Sequence, residues 1–158
     1  LAELGMSPKE IDTLLNKKSG LYGVGGIGSS DMRDIISAAE SGDKQALRAL
    51  RMFVKRIVKY AGAYVAELSG ADAIVFTGGI GEHSSYIRKL VLEKLACLGI
   101  ELDEEANEKF KGVPGIISKP DSKIRAVVMP TNEELMIARE TLSVMSHEIH
   151  NPITEAGQ

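Results

Sequence analysis

The sequence has no tryptophan, and aromatic residues make up only 4% of it. Surfaces that stack single-stranded bases are built from aromatic side chains, so this scarcity argues against nucleic-acid binding. The net charge of −3 argues the same way, because it gives no general attraction to a polyanion. One cysteine, Cys97, leaves no partner for an internal disulfide and no basis for a cysteine zinc site. A lone thiol fits a reducing compartment, and the chain reads as cytoplasmic. No apolar run reaches membrane-spanning length and no secretory signal peptide is visible. An initiator methionine is also missing: the chain opens "LAELGMSPKE", which reads as a fragment of something larger.

What is present is ordinary for a soluble domain. The 158 residues are 44% hydrophobic and 26% charged, enough for one sizeable core. Ser7-Pro8-Lys9-Glu10 predicts a helix start, with Ser7 as N-cap, Pro8 in the first turn and Glu10 closing a capping box. The longest helical pattern follows Ser41-Gly42-Asp43. Leu47, Leu50, Val54, Ile57, Val58, Ala61, Val65 and Leu68 keep one face of it apolar, and Ser69-Gly70 ends it. Its basic stripe, Arg48, Arg51, Lys55 and Lys59, reads as a solvated face.

Ala73 to Thr77 reads as a short strand buried on both faces, followed by a glycine loop and by a helix opening at Ser84 or Ser85. Ile87, Val91, Leu95 and Leu98 face inward on that helix. "GIISK" suits a small strand, and "KIRAVVMP" a second full one stopped by Pro130. Strands alternating with helices imply an α/β layer structure with parallel strands and flanking helices.

Two glycine-rich stretches compete as ligand loops. Gly23 to Gly28 matches the dinucleotide fingerprint by letter but follows a helix; Ser29 or Ser30 would cap the helix beginning near Asp31. Gly79-Ile80-Gly81-Glu82-His83-Ser84 matches less well by letter, yet it leaves a strand and enters a helix. Glycines there permit close backbone approach, and free N–H groups favour anionic oxygens. The plain alternative is a tight turn.

The stretch "VVMPTNEELMIARET" follows the second strand. Thr131 and Glu134 have capping-box spacing, with Leu135, Ile137 and Ala138 opening a buried face. That leaves Glu133 either as a charge favouring the helix dipole or as a cation ligand. Parallel neighbouring strands would bring both loops out on one sheet edge, placing Glu133 where a cation meets a phosphate held at Gly79–Ser84. In the tail, His147 and His150 lack a third ligand for a metal site.

"KKSGLYGVGGIGSSDMRDI", "ADAIVFTGGIGEHSSYIRK" and "VVMPTNEELMIARET" together resemble three blocks of the acetate kinase (acetokinase) family, in order, across Ser7 to Thr141. The resemblance implies an incomplete ribonuclease-H-like domain of the actin-like ATPase superfamily. It places the C-terminal nucleotide-binding domain at residues 1–146, with a polar tail at 147–158. It implies reversible phosphoryl transfer from ATP to acetate, giving acetyl phosphate and ADP, with Mg²⁺ or Mn²⁺, in a homodimer joined through this domain. It implies that Asp31, Met32 and Arg33 contact the adenosine part, that Gly79, Ile80, Gly81, Glu82 and His83 surround the nucleotide, and that Glu133 binds the metal. His83 stands where the family usually has asparagine. The transition-state arginines and the acetate pocket belong to the preceding part of such kinases, so no catalytic residue maps here and the piece alone is expected to be inactive. Two other classes remain: a Rossmann-type NAD module using Glu101 or Asp103 for the ribose, and a non-catalytic dimerisation domain presenting the long helix.

Overall fold

A computed structural model describes residues 1–149. Helix α1 spans Pro8–Lys17 with the predicted box complete: the Ser7 hydroxyl accepts from the Glu10 N–H, and the Glu10 carboxylate accepts from the Ser7 N–H. The glycine-rich stretch after it is not a loop throughout. Gly20–Gly25 forms α2, packed on the long helix. Gly25 is buried there because a Cβ would lie 2.7 Å from Ile35 Cδ1, so the small residue lets two helices approach. Helix α3 spans Met32–Glu40 and is capped by Asp31, not by Ser29 or Ser30; Ser29 accepts from the Asp31 N–H and donates to Asp34. Helix α4, Lys44–Glu67, begins at Asp43, whose carboxylate takes two N–H groups.

Strand β1 is Ala73–Phe76, and α5, Gly78–His83, follows it at once. The chain continues through α6 (Ser85–Leu95), α7 (Glu104–Lys109), β2 (Gly115–Ile116) and β3 (Arg125–Val128) to α8 (Glu133–Ile149). The sheet order is β1-β3-β2. β1 and β3 run parallel with Phe76 beside Val128, as expected, whereas the short β2 pairs antiparallel to β3. Helix α8 extends three residues beyond 146. His150 and the rest of the tail lie outside the described residues.

The core joins Phe76, Ala126 and Val128 from the inner sheet face to Ile87, Val91, Leu92 and Leu95 of α6, with Ile35, Leu50 and Val54 behind them. Among the described residues no element covers the outer sheet face. Val75 is 54% exposed and Ile116 and Met129 are about as open, so β1 is covered on one side only. The apolar residues expected to open a buried face on α8, Leu135, Ile137 and Ala138, are exposed too. For the sheet residues strand alternation explains this: a side chain pointing away from α6 meets no described element. The last turns of α4 also stand clear of the core, leaving Tyr60, Tyr64 and Leu68 exposed along the i, i+4 row.

Candidate functional site

Parallel pairing puts the C-terminal ends of β1 and β3 on one edge. The ladder continues past the strands, with the Met129 N–H donating to the Phe76 carbonyl at 2.9 Å. Three glycines follow β1, each in a different environment. Gly78 sits at φ +69°, a left-handed conformation that L side chains rarely adopt. A Cβ on Gly81 would lie 3.3 Å from the Phe76 carbonyl carbon, so α5 rests directly on β1. A Cβ on Gly79 would meet nothing within 4 Å. The fold does not demand glycine at that position, and its bareness leaves room for something else.

Gly79 borders a cavity of about 570 Å³ lined by Ser30, Asp31, Met32, Arg33, Ile36, Gly79, Ile80, His83 and Ser84. Two sequence blocks about fifty residues apart therefore share one wall-to-wall space. Of the eight residues expected to surround a nucleotide, Asp31, Met32, Arg33, Gly79, Ile80 and His83 line it; Gly81 and Glu82 do not. A larger groove of about 660 Å³ runs between α4 and α6, but it lies among Leu47, Arg51, Lys55 and Lys94 and contains none of the expected residues. Glu101 and Asp103 line neither space: Glu101 faces Lys119, and Asp103 accepts from Ala106 N–H as the cap of α7.

The electrostatics of the cavity follow from these contacts. The Arg33 guanidinium donates to both oxygens of Asp31, at 3.0 and 2.6 Å, and this pair holds the Asp31 carboxyl down to about 2. Asp31 is thus an anion at any working pH, and the Arg33 side chain is 88% exposed on the rim. His83 Nδ1 lies 3.1 Å from the Gly79 carbonyl. A carbonyl only accepts, so the proton of this contact is on Nδ1.

Glu82 is 8% exposed and turned away from the cavity. Its Oε1 accepts from the Gly78 N–H (2.8 Å), the Thr131 N–H (2.9 Å) and the Thr131 hydroxyl (3.1 Å). The Thr131 N–H lowers its pKa from the usual carboxylate value, against the opposing effect of burial. This arrangement overturns the expected Thr131–Glu134 box. Asn132 caps α8 instead, accepting from Leu135 N–H at 2.9 Å. The helix starts at Glu133, so Glu134 sits one position short of the box, and the Thr131 hydroxyl is already engaged. Glu133 and Glu134 are both exposed in the first turn, two and three residues beyond the Thr131 contact. Asn132→Ala should weaken the first turn of α8 by about 0.5–2 kcal/mol, whereas Glu134→Ala should leave it nearly unchanged. Amide exchange at residues 135 and 136 reads the difference.

Arg88, which pattern reading passed over, is fully buried. Its guanidinium donates to Asn107 Oδ1 (2.8 Å) and to the carbonyls of Gly81 (2.9 Å), Glu82 (2.8 Å), Asn107 (2.6 Å) and Phe110 (3.0 Å). It thus ties the end of α5 to α7. Burial lowers its pKa, opposed by the charge of Glu108. The signal was available: Arg88 falls four and seven residues before Leu92 and Leu95, on the apolar arc of α6.

The model of the acetokinase family matches residues 1–139. The chain belongs to the acetokinase family. It is 52% identical over 145 residues to the acetate kinase of Methanosarcina acetivorans, covering 92% of this chain and 35% of that one. Among solved structures, acetate kinase of Porphyromonas gingivalis superposes with a TM-score of 0.80 at 42% identity, over 91% of this chain and 36% of that one. A propionate kinase from Francisella tularensis gives 0.77 at 41%, over 88% and 35%. The chain therefore spans about a third of these relatives' length. Its fold is that of the acetokinase family, an α/β arrangement of the actin-like ATPase type.

Proposed function

We propose that this acetokinase segment supplies the nucleotide-binding part of an enzyme that reversibly transfers a phosphoryl group from ATP to acetate, giving acetyl phosphate and ADP. The observation that carries the reading is the shared cavity at the strand ends, where Asp31–Arg33 and the Gly79 turn face each other. In this reading Asp31, Met32 and Arg33 hold the adenosine part, and Gly79, Ile80 and His83 line the path of the phosphates. Gly81 and Glu82 shape the turn from behind. No general acid or base among these residues is asked to react, because phosphoryl transfer rests mainly on positioning and charge neutralisation.

Mg²⁺ or Mn²⁺ fits this edge as an ion arriving with its nucleotide. Among the described residues no cluster of three His, Cys, Asp or Glu could hold a metal unaided. Mg²⁺ commonly takes one or two carboxylates plus phosphates and water. Glu133, an exposed carboxylate beginning α8 beside the pinned Thr131, is the residue that would hold it; when bound, the ion neutralises charge on the phosphates. The acceptor acid and the groups acting on the transferred phosphoryl belong to parts of the enzyme beyond this segment, and the segment alone is read as inactive.

We also infer a homodimer through this domain, working in the cytoplasm. The exposed row Met52, Tyr60, Tyr64 and Leu68 on α4 supports a protein contact there, since Tyr and Met are enriched at interfaces. Among the described residues no helix is long and apolar enough to cross a membrane.

Calorimetric titration of the full chain separates the readings. ADP with Mg²⁺ should bind measurably and NAD should not. Glu133→Ala should reduce the enhancement by Mg²⁺ while leaving metal-free ADP binding nearly unchanged. NAD binding without metal dependence would favour a dinucleotide module instead, and binding of neither ligand would leave an assembly role.

A further inference from the structure

Glu82 is the one polar side chain of the Gly79 turn that faces away from the cavity, and its environment is unusual. A single oxygen receives three donors, one from Gly78 four residues before it and two from Thr131 49 residues after it. Two of those donors are backbone N–H groups with no strand or helix partner. The Gly78 N–H lies at the start of α5, where helical N–H groups have no intrahelical acceptor. The Thr131 N–H lies just past Pro130, where the chain has left β3. The backbone ladder between the two strands ends with the Met129 N–H on the Phe76 carbonyl. Beyond that point the Glu82 carboxylate continues the connection by a side chain.

We propose that Glu82 is a positioning residue that latches the β1–α5 turn to the β3–α8 turn and so sets the spacing between the phosphate side of the cavity at Gly79 and the carboxylate of Glu133. This rests on the proposed nucleotide site. The β1–α5 turn leaves its strand through Gly78 and Gly79, which permit several backbone conformations, and on the other side Pro130 has no N–H with which to extend the ladder. Without a fixed tie, the Glu133 end of α8 has no described packing to hold it in place, since its apolar residues are exposed. A carboxylate suits the tie because charge-assisted hydrogen bonds are shorter and stronger than neutral ones. A glutamate reaches across; an aspartate at 82 would be one methylene short.

The test uses the full chain, with ADP binding measured by calorimetry with and without Mg²⁺, together with amide exchange of Gly78 and Thr131. For Glu82→Ala, exchange of both amides should accelerate at least about tenfold, the equivalent of one lost charge-assisted hydrogen bond. Metal-free ADP affinity should stay within about twofold, while the enhancement by Mg²⁺ should fall at least about tenfold, roughly 1.4 kcal/mol. Glu82→Gln keeps an acceptor oxygen and should restore most of that enhancement. Thr131→Val keeps the N–H, removes one donor and should fall between; it serves also where Glu82→Ala does not fold. An unchanged Mg²⁺ enhancement in Glu82→Ala and Thr131→Val, with both amides freed, overturns the latch and spares the nucleotide site. Unchanged amide exchange overturns it as well. A parent chain that binds no ADP overturns the site and the latch together.

Discussion

Arg88→Ala should destabilise the chain by more than about 4 kcal/mol, at the extreme end of single substitutions. The change removes the guanidinium donors of Asn107 Oδ1 and of the carbonyls of Gly81, Asn107 and Phe110, while the Glu82 carbonyl keeps only the Gly112 N–H. A buried acceptor left without its donor costs roughly 1–3 kcal/mol, and several are orphaned at once. Helices α5 and α7 are six residues each, too short to persist without support. Arg88→Lys should recover only part of the loss, because an ammonium presents a point charge where the guanidinium fork reaches both helices. The urea midpoint of each variant, with the slope checked for two-state behaviour, gives the result. A loss below about 1 kcal/mol, the average for an ordinary substitution, would mean that water replaces the guanidinium at little expense.

Gly79→Leu is expected to have the opposite profile. A Cβ at Gly79 meets nothing within 4 Å, so the fold tolerates a side chain there. Leucine should even stabilise the helical turn, by about 0.5–1 kcal/mol for a glycine replaced inside a helix. Binding of ADP with Mg²⁺, by contrast, should weaken at least about 30-fold, roughly 2 kcal/mol, because the side chain grows into the cavity. Gly81→Leu is the control, since its Cβ would press on the Phe76 backbone at 3.3 Å and stability should fall. Intact ADP binding in a well-folded Gly79→Leu chain would remove the nucleotide from this cavity.

Local chemistry was well legible where local chemistry decided the outcome. Ser7, Pro8 and Glu10 build α1 as their spacing predicts, and Asp43 starts α4. The parallel neighbourhood of β1 and β3 followed from alternating strand and helix patterns, and it set the Gly79 turn beside the β3–α8 turn, where Thr131 donates to Glu82. The misses have one physical source, contacts between residues distant in sequence. Thr131 has the right spacing for a cap, but Glu82 takes its hydroxyl and Asn132 replaces it. The glycines of α2 signal flexibility in isolation; against Ile35 of α3, Gly25 permits close packing in a helix. Val75 reads as core by composition and is exposed because, among the described residues, only one sheet face is covered. Arg88 was passed over for its charge, although its position on α6 matched the buried arc.

Val75 and Phe76 are consecutive residues of a four-residue strand, one open on the outer face and the other in the core beneath the Gly81 turn. Whatever covers the outer face therefore presses on the same short strand that supports the ligand turn. Any change in ligand affinity that covering this face produces must be matched by an equal change in the cover's own affinity when ligand is bound.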